Sequence, residues 1–173
     1  LRKFLQVATL SVFKKRDMAV NFSNCGKDMK DNNIVKANIM VQIAINKARK
    51  IEAPKFNKGK FEKAAEYALS LTRNHTDFYP ILREKFKEAG VIFVVLPNLP
   101  GSKTNGATKK IGDNILLMVN NRRLFSDTFW FTLFHEIGHI MNGDYGITFE
   151  GEECEDAADK YAEDKLIPSD AYQ

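Results

Sequence analysis

The segment 127–142 most constrains the fold of this chain, because it is strongly apolar yet carries three ionisable side chains within five residues. They lie in the order His135-Glu136-Ile137-Gly138-His139. The apolar residues recur at helical spacing, which predicts a buried helix that ends at Gly143. Histidines four residues apart lie one above the other on a helix, so both imidazole rings can reach one ion.

Glu136 follows the first histidine directly, which directs its carboxylate towards the position that the two rings leave open. A carboxylate there can take a proton from bound water, so the spacing predicts a zinc site with Glu136 as general base. The alternative is a helix with two incidental surface histidines. Gly138 costs about 1 kcal/mol relative to alanine inside a helix. We therefore expect a ligand, a strand or a substrate to come close to it. On a helical wheel the two histidines fall beside the apolar stripe of this helix. We therefore expect the metal site at the edge of the core, open to a cleft.

A third zinc ligand is expected from a last helix at about 153–166. Glu155 and Asp159 share one face of it, so Glu155 could bind the metal while Asp159 orients a histidine through its other ring nitrogen. Ala158 and Ala162 would let this helix pack closely on the histidine helix. From spacing alone, neighbouring acidic residues are open alternatives to Glu155: Glu150, Glu152, Glu153 and Asp156.

Helices are also predicted upstream, where apolar residues follow helical spacing at about 31–49, 60–72 and 77–89, after a weaker pattern at 2–13. Residues 17–30 are polar and predict a loop. The continuous apolar run 91–96, closed by Pro97, then predicts a buried strand.

A β-hairpin is predicted next, because Gly112-Asp113 separates the strands 106–111 and 114–119 and is typical of a type II′ turn. Lys109 and Lys110 favour an edge position for the first of these strands, which could then pair with an extended substrate. Together these elements predict an α+β fold, mostly helical, with a small three-stranded sheet.

Composition adds limits on domains, partners and compartment. A chain of 173 residues can form one globular domain with a helical appendage, and Pro54 with the lysine-rich 57–59 marks the best boundary. The net charge of +4 is spread out, which favours a solvated basic face over a nucleic-acid surface. Cys25 and Cys154 form no CxxC pair, and no apolar stretch is long enough for a membrane span, so we expect a cytoplasmic protein.

Three segments together resemble the ImmA/IrrE family of metallopeptidases, and the resemblance covers roughly residues 60–168. In that family HExxH is followed by a motif close to E-x-x-A-[ND]-x-[FY]-A and by an apolar-proline end. The chain departs from the family at Ala157, just before the alanine of the motif, where the family often has Glu or Gln. The matching segments are Asp127–His139, Glu155–Ala162 and Leu166-Ile167-Pro168.

The resemblance implies a zincin-like domain at 56–173 that acts as a zinc metallo-endopeptidase. It implies His135, His139 and Glu155 as ligands of Zn²⁺ and Glu136 as catalytic base. The implied substrate is a protein, expected to be a helix-turn-helix transcriptional repressor in mobile-element, stress or toxin–antitoxin regulation.

Many relatives in this family follow a helix-turn-helix domain. Residues 1–55 are accordingly expected to be a helical segment or linker behind such a domain, and contact with DNA would come only through that absent domain. The chain starts at Leu1, and we expect it to be part of a longer protein.

The competing hypothesis is a non-catalytic regulator that senses metal or binds a partner. If the chain is a peptidase, further side chains could donate hydrogen bonds to the oxyanion that forms from the peptide carbonyl. The candidates are Tyr145, Tyr161, Arg122 and Arg123.

Overall fold

The computed structural model describes residues 2–5, 9–14, 31–73, 77–121, 127–149 and 156–167. Over these residues helices combine with one mixed sheet, in agreement with a mixed α and β architecture. Several sequence predictions concern residues outside these ranges, namely the loop 17–30, Arg122, Arg123, Glu150, Glu152, Glu153, Glu155 and Pro168.

From residue 31 onward the helices follow the predicted ones to within a few residues at each end. Where a helical pattern was predicted at 2–13, the described residues instead form a four-residue helix and a 3-10 turn. The helices are α1 (Arg2–Leu5), α2 (Asp31–Ala48), α3 (Lys58–Ser70), α4 (Phe78–Glu88), α5 (Asp127–Asn142) and α6 (Asp156–Leu166), with a 3-10 turn at Leu10–Lys14. The strands are β1 (Val91–Leu96), β2 (Thr104–Ile111), β3 (Asn114–Asn120) and β4 (Ile147–Phe149). None of the helices within the described ranges has the length and apolarity needed to cross a membrane.

The sheet has four strands in the order β1-β3-β2-β4, so the prediction of three strands was wrong. β1 and β3 are parallel, while β2 pairs antiparallel with both β3 and β4. β4 has only three residues, too few to give a periodic pattern, and it lies between the predicted helix that ends at Gly143 and the one predicted from about 153. The predicted edge position of β2 was also wrong, because β4 covers residues 104–107 of that strand.

Helices cover both faces of this sheet. On one face α2 packs against β1, β2 and β3 through an apolar cluster that includes Val41 and Leu116. On the other face α3, α4 and α5 form the larger cluster around Phe86, Leu117 and Phe134. Strands buried on both faces carry apolar residues without alternation, which explains the continuous run in β1. The predicted division of the chain near residue 55 stays a prediction.

Gly90 joins α4 to β1 at a point where no other residue fits well. Its φ is 81°, and an added Cβ would lie 2.5 Å from the Phe56 backbone. The segment before α3 is held in this position, since the amide of Phe56 donates to Asp113 O and that of Asn57 donates to Ala89 O, both at 2.9 Å. Gly112 also has a positive φ of 58°, the sign that a type II′ turn needs, but an added Cβ would meet nothing within 4 Å.

These two glycines give a matched test of the packing at the α4–β1 junction. Gly112→Ala should lower the free energy of unfolding by about 1–2 kcal/mol, the cost of the left-handed conformation alone. Gly90→Ala adds a collision with backbone and should cost at least about twice as much. Urea unfolding followed by circular dichroism measures both values. Equal losses would contradict the close approach of Phe56 to Gly90.

Candidate metal centre

Helix α5 is enclosed by β2 and β3 on one side and by α6 on another. Its contact with α6 is close because Gly138 has no side chain. A Cβ on Gly138 would lie 3.2 Å from both Ala158 Cα and Tyr161 Cβ. Ala158 and Ala162 are both buried, 1% and 0% exposed. The expected close packing of α6 on α5 through small residues is therefore confirmed. At Gly138 the close neighbour is this helix, rather than the expected ligand, strand or substrate.

The two histidines of α5 point their Nε2 atoms at a common place. His135 Nε2 and His139 Nε2 are 3.0 Å apart, and the ring planes are inclined at 78°. Two nitrogen ligands at 2.0–2.1 Å from a tetrahedral zinc ion would be separated by about 3.3 Å. The pair is therefore close to the spacing that such an ion requires.

Asp159 of α6 holds the opposite side of the first ring. His135 Nδ1 and Asp159 Oδ1 are 2.7 Å apart, so the contact expected from the sequence is present. A carboxylate at Nδ1 fixes the orientation of an imidazole and leaves Nε2 directed at the ion. The role of Asp159 in metal affinity stays a prediction.

Asp144 lies near the second ring at a longer, electrostatic distance, and this contact was not predicted from the sequence. His139 Nδ1 lies 3.4 Å from Asp144 Oδ2. Asp144 is brought there by the end of α5, because Gly143 has φ 79° and the amides of Gly143 and Asp144 both donate to His139 O. An acidic residue directly after a predicted helix-ending glycine is the signal that could have revealed it.

Glu136 lies against β2 rather than at the surface. An added Cβ on Gly106 would be 2.6 Å from Glu136 Cδ and still closer to Oε1, so only a glycine leaves space for this carboxylate. A glycine inside a strand signals this kind of close approach. His135, Glu136 and His139 are 4%, 0% and 6% exposed. The side chains are therefore buried, whereas the sequence predicted a site open to a cleft.

Thr148 of β4 adds a polar group on the same face of the sheet. It pairs with Gly106, and residues directly opposite each other in an antiparallel pair direct their side chains to the same face. Thr148 is 8% exposed, and its Oγ1 makes no hydrogen bond to the parts of the chain that the structure describes. Thr148 was not predicted as part of the site, because the strand that carries it, β4, was not predicted.

A third protein ligand is not among the described residues. No group of three His, Cys, Asp or Glu side chains is placed to hold a metal within the described ranges, which do not include Glu155. The paired Nε2 atoms, with carboxylates behind both rings, nevertheless fit the donor chemistry of a zinc site. Glu155 stays the predicted third ligand, one residue before α6 begins.

Tyr145 and Tyr161, two of the proposed donors to an oxyanion, are both partly buried. Burial raises the pKa of the Tyr145 phenol, and the nearby Asp144 raises it further. Burial also raises the pKa of the Tyr161 phenol, with smaller contributions from Glu62 and Glu66 on α3. Both phenols therefore keep their proton at neutral pH and remain hydrogen-bond donors.

Comparison of the chain with models of protein families, with functionally characterised proteins and with solved structures finds no match.

The close contact between Gly106 and Glu136 is testable with a double-mutant cycle. Gly106→Ala should lower the free energy of unfolding by about 1–3 kcal/mol, since the new methyl group overpacks a filled site. In a Glu136→Ala background the same change should cost at least about 1 kcal/mol less, because the colliding group is gone. Chemical denaturation of the four proteins measures the coupling. An identical cost in both backgrounds would contradict this placement of Glu136.

Proposed function

We propose that this chain is a zinc-dependent endopeptidase of the ImmA/IrrE type. The observation that supports it most is the convergence of His135 Nε2 and His139 Nε2, 3.0 Å apart, on the helix that also carries the buried Glu136. Two incidental surface histidines would be exposed and would need no carboxylate partners. Here both rings are buried, and both Nδ1 atoms face an aspartate.

The protein would hold zinc through His135 Nε2, His139 Nε2 and a carboxylate, for which Glu155 is the candidate. When bound, the ion supplies a Lewis acid that activates water and polarises a peptide carbonyl. Asp159 and Asp144 would keep both rings in the tautomer that directs Nε2 inward. This arrangement stabilises the ligand geometry before the ion arrives.

Glu136 would be the catalytic base. Its carboxylate takes a proton from the attacking water and returns it to the leaving amine nitrogen as the peptide bond breaks. Gly106 supports this role by leaving the carboxylate space beside the sheet. A structural zinc site needs no such base and closes its fourth position with a protein ligand, so an intact Glu136 favours the enzyme over the non-catalytic regulator.

The substrate would be a protein segment in extended form. β4 is the last strand in the sheet order, so pairing of a substrate strand is now expected there rather than at β2. Tyr145 or Tyr161, with phenols that keep their proton, would supply a donor to the developing oxyanion. The choice of a helix-turn-helix repressor as substrate rests on the family resemblance alone.

Zinc binding gives the first test of this proposal. The purified chain should bind about one zinc ion, and Glu155→Ala should weaken binding severely because a ligand is lost. Asp159→Ala should retain zinc but bind it roughly 10–100-fold more weakly, since the histidine loses its orientation. Competition with a fluorescent chelator measures both affinities.

Asp164→Ala is the matched control, because Asp164 lies on the same helix and is exposed. It should bind zinc as the wild type does. Wild-type affinity in Glu155→Ala would overturn the assignment of the third ligand, and wild-type affinity in Asp159→Ala would overturn the role given to Asp159.

Activity is tested by Glu136→Gln. The amide keeps the size of the side chain but cannot accept the proton, so cleavage of a repressor substrate should fall on the order of a thousandfold or more. Zinc content and the unfolding transition should be unchanged. Glu163→Gln, an exposed residue of α6, should cleave at the wild-type rate.

A transcriptional reporter run beside the cleavage assay separates the enzyme from the regulator. The enzyme hypothesis requires that Glu136→Gln lose both cleavage and derepression. If wild type and variant both cleave nothing and both still regulate, the chain acts by binding and the proposed activity is wrong.

A further inference from the structure

A second candidate site lies between α3 and α4, on elements that carry none of the proposed metal ligands. A cavity of about 740 Å³ opens there, within the usual range for small-ligand pockets. It is lined by four lysines and one acidic residue, Glu88. This is a large local excess of positive charge in a chain whose net charge is only +4. The lysines are Lys60, Lys63, Lys85 and Lys87.

The two lysines on α4 have an ordinary structural explanation. They lie in the last turn of that helix, where positive charge interacts favourably with the helix dipole. Lys85 pairs with Glu88 at 3.7 Å, and Lys87 pairs with Glu84. The hydrogen bond from Lys87 is the main reason that the pKa of Glu84 is lowered.

The two lysines on α3 have no such explanation. Lys60 is in the first turn of α3, where the helix dipole disfavours a cation, and that turn contains no acidic residue. Neither Lys60 nor Lys63 forms an ion pair with any residue that the structure describes. Both residues line the cavity, and no ion pair with a described carboxylate neutralises them, so an anion there would be stabilised.

The rest of the lining is apolar. Ala64 and Ala89 are buried at the cavity, and the ring of Tyr67 is 41% exposed beside them. Lys85 Nζ lies 5.8 Å from the centre of this ring. A flat or apolar group could therefore pack on Tyr67 while an anionic group reaches the lysines.

We propose that this cavity binds a small molecule in which a phosphate group is joined to an aromatic or apolar part. Lysine ammonium groups bind phosphate as point charges, and four lysines line this one cavity, two of them without an ion pair to a described carboxylate. A nucleic-acid surface would instead extend its positive charge along a groove with several aromatic platforms. This site is independent of the peptidase proposal, because none of its lining residues contributes to the metal centre.

Adenosine monophosphate is a suitable probe, with adenosine and inorganic phosphate as its two parts. Calorimetric titration of the whole chain should show saturable binding of adenosine monophosphate, tighter than that of either part. The double change Lys60→Gln and Lys63→Gln should weaken it at least about tenfold, since charge-assisted hydrogen bonds are lost. Tyr67→Leu should weaken the nucleotide but not inorganic phosphate.

Lys110→Gln is the control for net charge, because Lys110 is an exposed lysine on β2, outside the cavity. It should leave the affinity within about twofold, because removal of one distant surface charge is largely screened by salt. The proposal is overturned if the wild type does not bind the nucleotide, or if the lysine double variant binds it equally well. It is also overturned if the lysines prove to bind a single-stranded oligonucleotide that the nucleotide cannot displace. Zinc content should be measured on the same samples. The result for the nucleotide site can then be judged separately from the result for the metal centre.

Discussion

The burial of three ionisable side chains on one helix is the constraint on which the rest of this structure depends. His135, Glu136 and His139 are each less than a tenth exposed, although α5 is otherwise strongly apolar. Burying such groups is costly unless they are held in polar contacts or bind an ion. The neighbouring elements meet this requirement by coming unusually close to α5, and glycines make both approaches possible: Gly106 towards the sheet and Gly138 towards α6.

This constraint gives each surrounding element a defined task. β2 supplies the space for the Glu136 carboxylate, α6 brings Asp159 to the first ring, and the end of α5 turns Asp144 towards the second. The remaining helices bury the sheet on both faces and so keep β2 in place. A rigid frame around a few polar groups is what a preorganised metal site requires.

The elements with a long periodic pattern could be predicted from the sequence, and those without one could not. The helices, the β1 strand and the hairpin turn at Gly112 all follow from local spacing and turn chemistry. β4 could not be predicted, because three residues are too few to show an alternating hydrophobic pattern. Its pairing with β2 is set by tertiary packing. The paired histidines and the Asp159 contact came from i, i+4 spacing. The Asp144 contact is also local, but it depends on the turn at Gly143 rather than on helical spacing. The approach of Gly106 to Glu136 joins two elements distant in sequence, so tertiary packing and not a local pattern decides which side chain Gly106 meets.

We propose that the two histidines of α5 hold a metal ion in a nitrogen and oxygen environment. X-ray absorption at the zinc edge of the zinc-loaded chain tests this most directly, because scattering from imidazole and from sulfur is readily distinguished. The spectrum should show two imidazole nitrogens together with oxygen donors, all at about 2.0–2.2 Å, and no sulfur. A shell of sulfur at about 2.3 Å, as binding through Cys25 or Cys154 would give, or a spectrum unchanged in His135→Ala, would contradict it.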